Sequence, residues 1–143
     1  MFLGRESATI RPVEIERWLD AARLVRERAY APYSQFKVGA ALIAADGRIF
    51  TGCNVENISF GLTMCAERVA IGHAIAEGVT DFIAIAIVAD TALPVSPCGA
   101  CRQVLAEFNP QLTVHLGTVE GARETFRLSE LLPRASTGIL NRP

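Results

Sequence analysis

The sequence predicts an α/β fold: a mixed five-stranded sheet with helices on both faces, three layers in all, within one domain spanning residues 1–143. Three observations predict it. Apolar residues recur at helical spacing in some stretches and as short extended runs in others. Asp46-Gly47 lies between two apolar runs, a strong hairpin signal. Phe82 to Ala89 is near-continuously apolar, as a strand covered on both faces should be.

Taken in order, the elements alternate. Pro12 suits the first turn of a helix whose apolar face is Ile15, Trp18, Leu19, Ala22, Val25 and Ala29, stopping before Ala31-Pro32. A hairpin follows, with strands from Phe36 to Ala44 and from Arg48 to Val55. A second helix is expected from about Thr63 to Glu77, ended by Gly78. After the Phe82–Ala89 strand, the loop from Asp90 to Pro97 leads into a third helix, Cys98 to Phe108, stopped by Asn109-Pro110. Leu112–Leu116 and Arg123–Leu128 read as the last strands, and Ser129–Leu132 as a short helical turn.

Bulk properties narrow the function. The net charge of −1 gives no electrostatic footprint for a nucleic acid polymer or an anionic membrane, and no apolar run is long enough to span a bilayer. The stretch MFLGRESATIRP places arginine and glutamate where a signal peptide needs an apolar core, so a cytoplasmic protein is expected. Cysteines in that compartment stay reduced, which leaves metal binding or catalysis as the default role of clustered ones.

There are four: Cys53, Cys65, Cys98 and Cys101. Cys65 and the Cys98/Cys101 pair fall at the starts of the second and third helices, where free N–H groups and the helix dipole favour thiolate. A thioredoxin-like redox pair would account for Cys98 and Cys101 but leave Cys65 unexplained. A structural zinc site wants four protein ligands. His73 lies about 12 Å along the helix from Cys65 at 1.5 Å per residue, too far to share an ion. His115 reads as a strand residue with a hydrogen-bonded ring, and Cys53 as a small buried hydrophobe. Three good ligands remain, and three ligands with one open position are what a catalytic zinc needs. Cys65-Ala66-Glu67 adds a carboxylate for proton transfer. Followed by Pro97-Cys98-Gly99-Ala100-Cys101, it gives the two-part pattern of zinc nucleobase deaminases in its all-cysteine form.

With those residues in place, the stretches YAPYSQFKVGAAL, GCNVEN, CAERVAI and SPCGACRQVL together resemble the small homotetrameric cytidine deaminases that act on free nucleosides. The resemblance runs from about Ile15 to Pro133, and implies the cytidine-deaminase-like form of the three-layer fold. It implies that Cys65, Cys98 and Cys101 hold Zn2+ and that Glu67 shuttles protons. It implies that Arg68 and Arg102 hydrogen-bond the sulfurs, that Asn54 and Glu56 grip the ribose, that Phe36 packs beside the pyrimidine and that the backbone of Ala66 reads the base edge. Phe60 would contact a neighbouring subunit.

The expected reaction is hydrolytic deamination of cytidine and 2′-deoxycytidine to uridine and 2′-deoxyuridine, with release of ammonia, in pyrimidine salvage. Two departures bear on substrate. The family's aromatic residue shortly after Glu-Leu-Leu-Pro is missing, since Glu130–Pro133 is followed by Arg134, Ala135 and Ser136 with no aromatic beyond. Phe60 stands where the family usually has tyrosine. The missing C-terminal ring favours a rival reading, deamination of modified cytosine nucleosides such as blasticidin-type antibiotics, whereas Asn54 and Glu56 favour an ordinary ribose. A non-enzymatic zinc-binding or redox module is the further alternative, and Glu67 discriminates against it because such a site has no use for that carboxylate.

Overall fold

The computed structural model describes residues 10–135; the amino-terminal stretch weighed as a signal peptide and the tail from residue 136 onward, with most of the segment lacking an aromatic, lie outside the described residues. Within them the order of elements is the expected one. Helix α1 (Pro12–Arg26) precedes the hairpin β1 (Val38–Ala44) and β2 (Ile49–Cys53). Helix α2 (Ala66–Ala76), strand β3 (Phe82–Ala89), helix α3 (Gly99–Phe108), strands β4 (Thr113–Thr118) and β5 (Arg123–Arg127) and the short helix α4 (Leu128–Leu131) follow.

The sheet order is β2-β1-β3-β4-β5, with β3 and β4 parallel and the other neighbours antiparallel. The apolar β3 takes the centre, and the charged β5 takes an edge, where Arg123, Glu124 and Arg127 discourage pairing with another strand. Alternation along β1 separates the layers. Ala40 and Leu42 face α2 and α3, while Ala41 and Ile43 face Trp18, Leu19 and Ala22 of α1. Two glycines let the helices close on the sheet. A Cβ on Gly39 would strike the backbone of α1 at Ala22, and one on Gly52 would strike α2 at Ala66 and Ala70.

Several boundaries differ from the sequence expectation, for local reasons. Helix α1 ends at Arg26 rather than just before Ala31, because Tyr30 leaves to pair with Val55, donating its N–H to the Asn54 carbonyl at 3.0 Å. The hairpin strands are shorter at their open end. There the Asn54 side chain replaces ladder bonds, donating from Nδ2 to the Phe36 carbonyl at 2.7 Å and accepting from the Val38 N–H at 2.8 Å. Phe36 thus sits in a loop before β1, exposed, instead of opening a strand. Helix α2 starts at Ala66 rather than Thr63, because Met64 is held extended by a two-bond bridge to Val55 and a 3-10 turn, Phe60–Leu62, comes before it. Strand β4 runs on to Thr118 to match the length of β3. Leu128 joins α4 rather than β5.

Candidate metal and catalytic site

Cys65 and Cys98 are the residues immediately before α2 and α3, both extended, with φ/ψ of −69°/152° and −64°/164°. These are N-cap positions, usually filled by Ser, Thr, Asp or Asn whose side chain bonds back to the helix. Here neither cysteine caps its helix through the side chain, so both sulfurs stay available. Cys101 lies one turn further along α3 and is fully buried. The sulfurs converge: Cys65 Sγ to Cys98 Sγ is 3.8 Å, Cys98 Sγ to Cys101 Sγ is 3.5 Å, and all three lie within 4.8 Å of one another. Tetrahedral zinc with Zn–S bonds of about 2.3 Å requires sulfurs about 3.8 Å apart, so the donor set fits that ion. No other cluster of three such side chains occurs among the described residues.

The charge state of the sulfurs follows from their neighbours. The hydrogen bond from Cys101 lowers the Cys65 pKa to about 5 against the opposing effect of burial, and Arg68 and Cys98 add to the lowering. Cys101 is shifted upward by that same bond to Cys65 and by burial. Arg68 Nη2 lies 3.6 Å from Cys65 Sγ and 3.5 Å from the Thr63 carbonyl, so a guanidinium sits against the thiolate as expected. Its Nε is buried and finds no acceptor among the described residues.

Glu67, in the first turn of α2, is only 4% exposed. Burial raises its pKa, a hydrogen bond from Cys101 pulls the other way, and the negative charge on Cys65 adds to the rise. A lone helix-surface glutamate would be solvated; this one is turned inward beside three sulfurs. Such a buried carboxyl holds a proton more readily than a solvated one, which suits a group that takes and gives protons in turn.

Arg102 departs from its expected role. Its Nε donates to the Pro97 carbonyl at 2.8 Å and its Nη1 to the Leu131 carbonyl at 2.9 Å, so it ties the loop before α3 to α4 instead of bonding a sulfur. The reason is local: those carbonyls need donors and lie within its reach. Asn54 and Glu56 also have protein partners. Besides the Asn54 bonds above, the Glu56 carboxylate accepts from the N–H groups of Tyr33 (2.9 Å) and Ser34 (3.1 Å) and from the Ser34 hydroxyl. Each keeps spare capacity, a second N–H and lone pair on Asn54 and a lone pair on Glu56. Sequence reasoning missed Ser34. The available signal was a serine just after Pro32, of the kind that folds back on the N–H two residues ahead.

The remaining candidates lie away from the sulfur cluster or at its edge. His73 Nδ1 donates to the Thr51 carbonyl at 3.2 Å, and its ring meets Phe50 edge-on, away from the sulfurs. His115 is buried against Trp18, with Nδ1 3.1 Å from Thr125 Oγ1. Cys53 is half-buried rather than buried. Phe60 stands 76% exposed, touching Tyr33 edge-on, beside the exposed Ile58 and Leu62. Ala66 is fully buried at the start of α2.

A three-layer α/β fold that brings two helix N-termini, three cysteine sulfurs and a buried glutamate together defines a three-ligand metal site with a proton-transfer group beside it. The family described as "Cytidine and deoxycytidylate deaminase zinc-binding region" matches residues 12–116. A cytidine deaminase from Sporosarcina psychrophila is 50% identical over 124 residues, covering 86% of this chain and 91% of that one. One from Halalkalibacterium halodurans is 57% identical over 113 residues, covering 78% and 86%. The crystal structure of cytidine deaminase from Burkholderia pseudomallei superposes with a TM-score of 0.80 at 50% identity, covering 82% of this chain and 95% of that one. The chain belongs to the cytidine deaminase family. The rival reading, modified cytosine nucleosides of the blasticidin type, finds no support in these relatives. No helix among the described residues is long and apolar enough to cross a membrane.

Proposed function

We propose that the chain is a zinc-dependent hydrolase, working as one catalytic domain, that converts cytidine and 2′-deoxycytidine to the corresponding uridines and ammonia. The observation that carries this reading is Glu67, buried in the first turn of α2 beside the Cys65/Cys98/Cys101 cluster. When bound, zinc supplies Lewis-acid activation of water. The three thiolates that hold it bring three negative charges, which the N-termini of α2 and α3 and the Arg68 guanidinium offset.

Glu67 carries the proton traffic. Its carboxylate takes a proton from the attacking water and delivers it to N3 of the cytosine ring as oxygen adds at C4. It then moves the second proton to the departing amine, so that water is consumed and ammonia released with no net change at Glu67. Asn54 and Glu56 use their remaining hydrogen-bonding capacity on the ribose hydroxyls, Phe36 lies along the base, and the Ala66 backbone meets its edge.

The assembly is a homotetramer in the cytoplasm, serving pyrimidine salvage. Ile58, Phe60 and Leu62 are 80%, 76% and 66% exposed, a run of apolar surface that suits contact with another copy. The test is to incubate zinc-replete protein with cytidine and with 2′-deoxycytidine and follow absorbance and ammonia together. Equimolar conversion of both substrates is expected. Conversion of neither would defeat the reading.

A further inference from the structure

Ser34 has no place in the chemistry above, yet it stands at a junction. Its hydroxyl donates to the Glu56 carboxylate and accepts from the Phe36 N–H at 2.9 Å. Glu56 also takes the backbone N–H groups of Tyr33 and Ser34, and Asn54 holds the Phe36 carbonyl and the Val38 N–H. Between these anchors Gln35 is held at φ 58°, a left-handed conformation that a non-glycine residue adopts only when its surroundings impose it. The two side chains assigned to the ribose thus hold the stretch from Tyr33 to Val38 at both ends, with the Gln35 N–H donating to the Ala31 carbonyl at 3.0 Å and Arg26 Nε to the Lys37 carbonyl at 3.0 Å between them. The Ser34 hydroxyl alone links the carboxylate of one assigned contact to the backbone of another, Phe36.

We propose that Ser34 is a positioning residue, which couples the Glu56 carboxylate to the Phe36 backbone so that the ribose and base contacts are set in place together before substrate arrives. The inference rests on the functional reading above. The hydroxyl orients Glu56 by donating to it, leaving the unused lone pair of the carboxylate for the sugar. The same hydroxyl fixes the N–H of Phe36, and with it where that ring can lie. Prearranged contacts reduce the ordering cost of binding, so losing the coupling weakens substrate binding more than it slows the chemical step.

The test compares the zinc-loaded parent with Ser34→Ala and Ser34→Thr, the second of which keeps a hydroxyl. Amide hydrogen exchange at residues 33–38 reads the coupling without substrate, and KM and kcat for cytidine read its use. Ser34→Ala should speed exchange of the Phe36 amide at least about tenfold and raise KM about fivefold, the scale of one lost hydrogen bond, with kcat within about twofold. Ser34→Thr should recover most of both. Unchanged exchange in Ser34→Ala overturns the coupling, whatever the parent does with cytidine. Faster exchange with an unchanged KM, or equal impairment in Ser34→Thr, overturns the positioning role. A parent that exchanges as described but never turns over cytidine overturns the functional reading, and the role of Ser34 in the reaction with it.

Discussion

The sulfur cluster and the two loops beside it, residues 30–38 and 54–64, are built on opposite plans. The cluster rests on secondary structure: two helix starts deliver Cys65 and Cys98, one further helical turn delivers Cys101, and Glu67 is buried by the packing of α2 on the sheet. The loops rest on isolated backbone bridges at Val55 and on hydrogen bonds between the Asn54, Glu56 and Ser34 side chains and the backbone, and they leave Tyr30, Tyr33, Ile58, Phe60 and Leu62 exposed. On the proposed reading the chemical half of the site lies within one chain, whereas the recognition half ends in exposed apolar surface that we propose another copy covers. Chemistry that tolerates errors of a fraction of an ångström sits on rigid elements; contacts that select a substrate sit on loops.

Glu67 apart, the largest effect that would sharpen this contrast is at Arg68. Removing its charge with Arg68→Gln should weaken zinc retention against a chelator and lower kcat by about 10–100-fold, as loss of a group that steadies a metal ligand does. An unaltered zinc affinity would mean that the helix N-termini alone suffice to offset the thiolates. A smaller change in rate, but a large one in mass, is expected at Phe60. Phe60→Glu should reduce the assembly seen by light scattering while zinc content per chain is kept. Parent-like mass would break the claim that the loop half is completed by a second copy.

The smallest effect lies outside both regions. Burial lowers the His115 pKa below that of the unfolded chain. The unfolded state therefore takes up the proton first as pH falls, and the stability from burying a neutral ring is present above the unfolded value, about 6.5, and lost as pH drops through the folded one. Between pH 7.5 and 5.5 the parent Tm should fall by a few degrees more than that of His115→Gln. Parallel pH profiles would show that His115 keeps its proton balance on folding.

Much of the cluster was legible in the sequence because it depends on short-range rules. The limits of the two helices can be placed to within a few residues from spacing, with Pro97 before one and Gly78 after the other, and three sulfurs plus Glu67 near two helix starts leave few other arrangements. The sheet was legible too, since the apolar Phe82–Ala89 had to be central and Asp46-Gly47 had to turn. What was not legible came from long-range pairing. Tyr30 and Met64 both bridge to Val55, which cut α1 and α2 short in ways that no local propensity records. The family resemblance implied Arg102 at the sulfurs, but a long side chain reaches whichever carbonyls the fold places nearby, here Pro97 and Leu131. Ser34 carries no distinctive motif of its own; its role exists only because residues 22 positions apart meet.

The account depends most on Glu67 acting on protons rather than holding the metal. Zinc content and cytidine turnover, measured on the same preparations of the parent and Glu67→Gln, separate the two. Glu67→Gln should keep the parent's zinc stoichiometry and lose turnover by about a thousandfold. Turnover within about tenfold of the parent, at full zinc content, would contradict it.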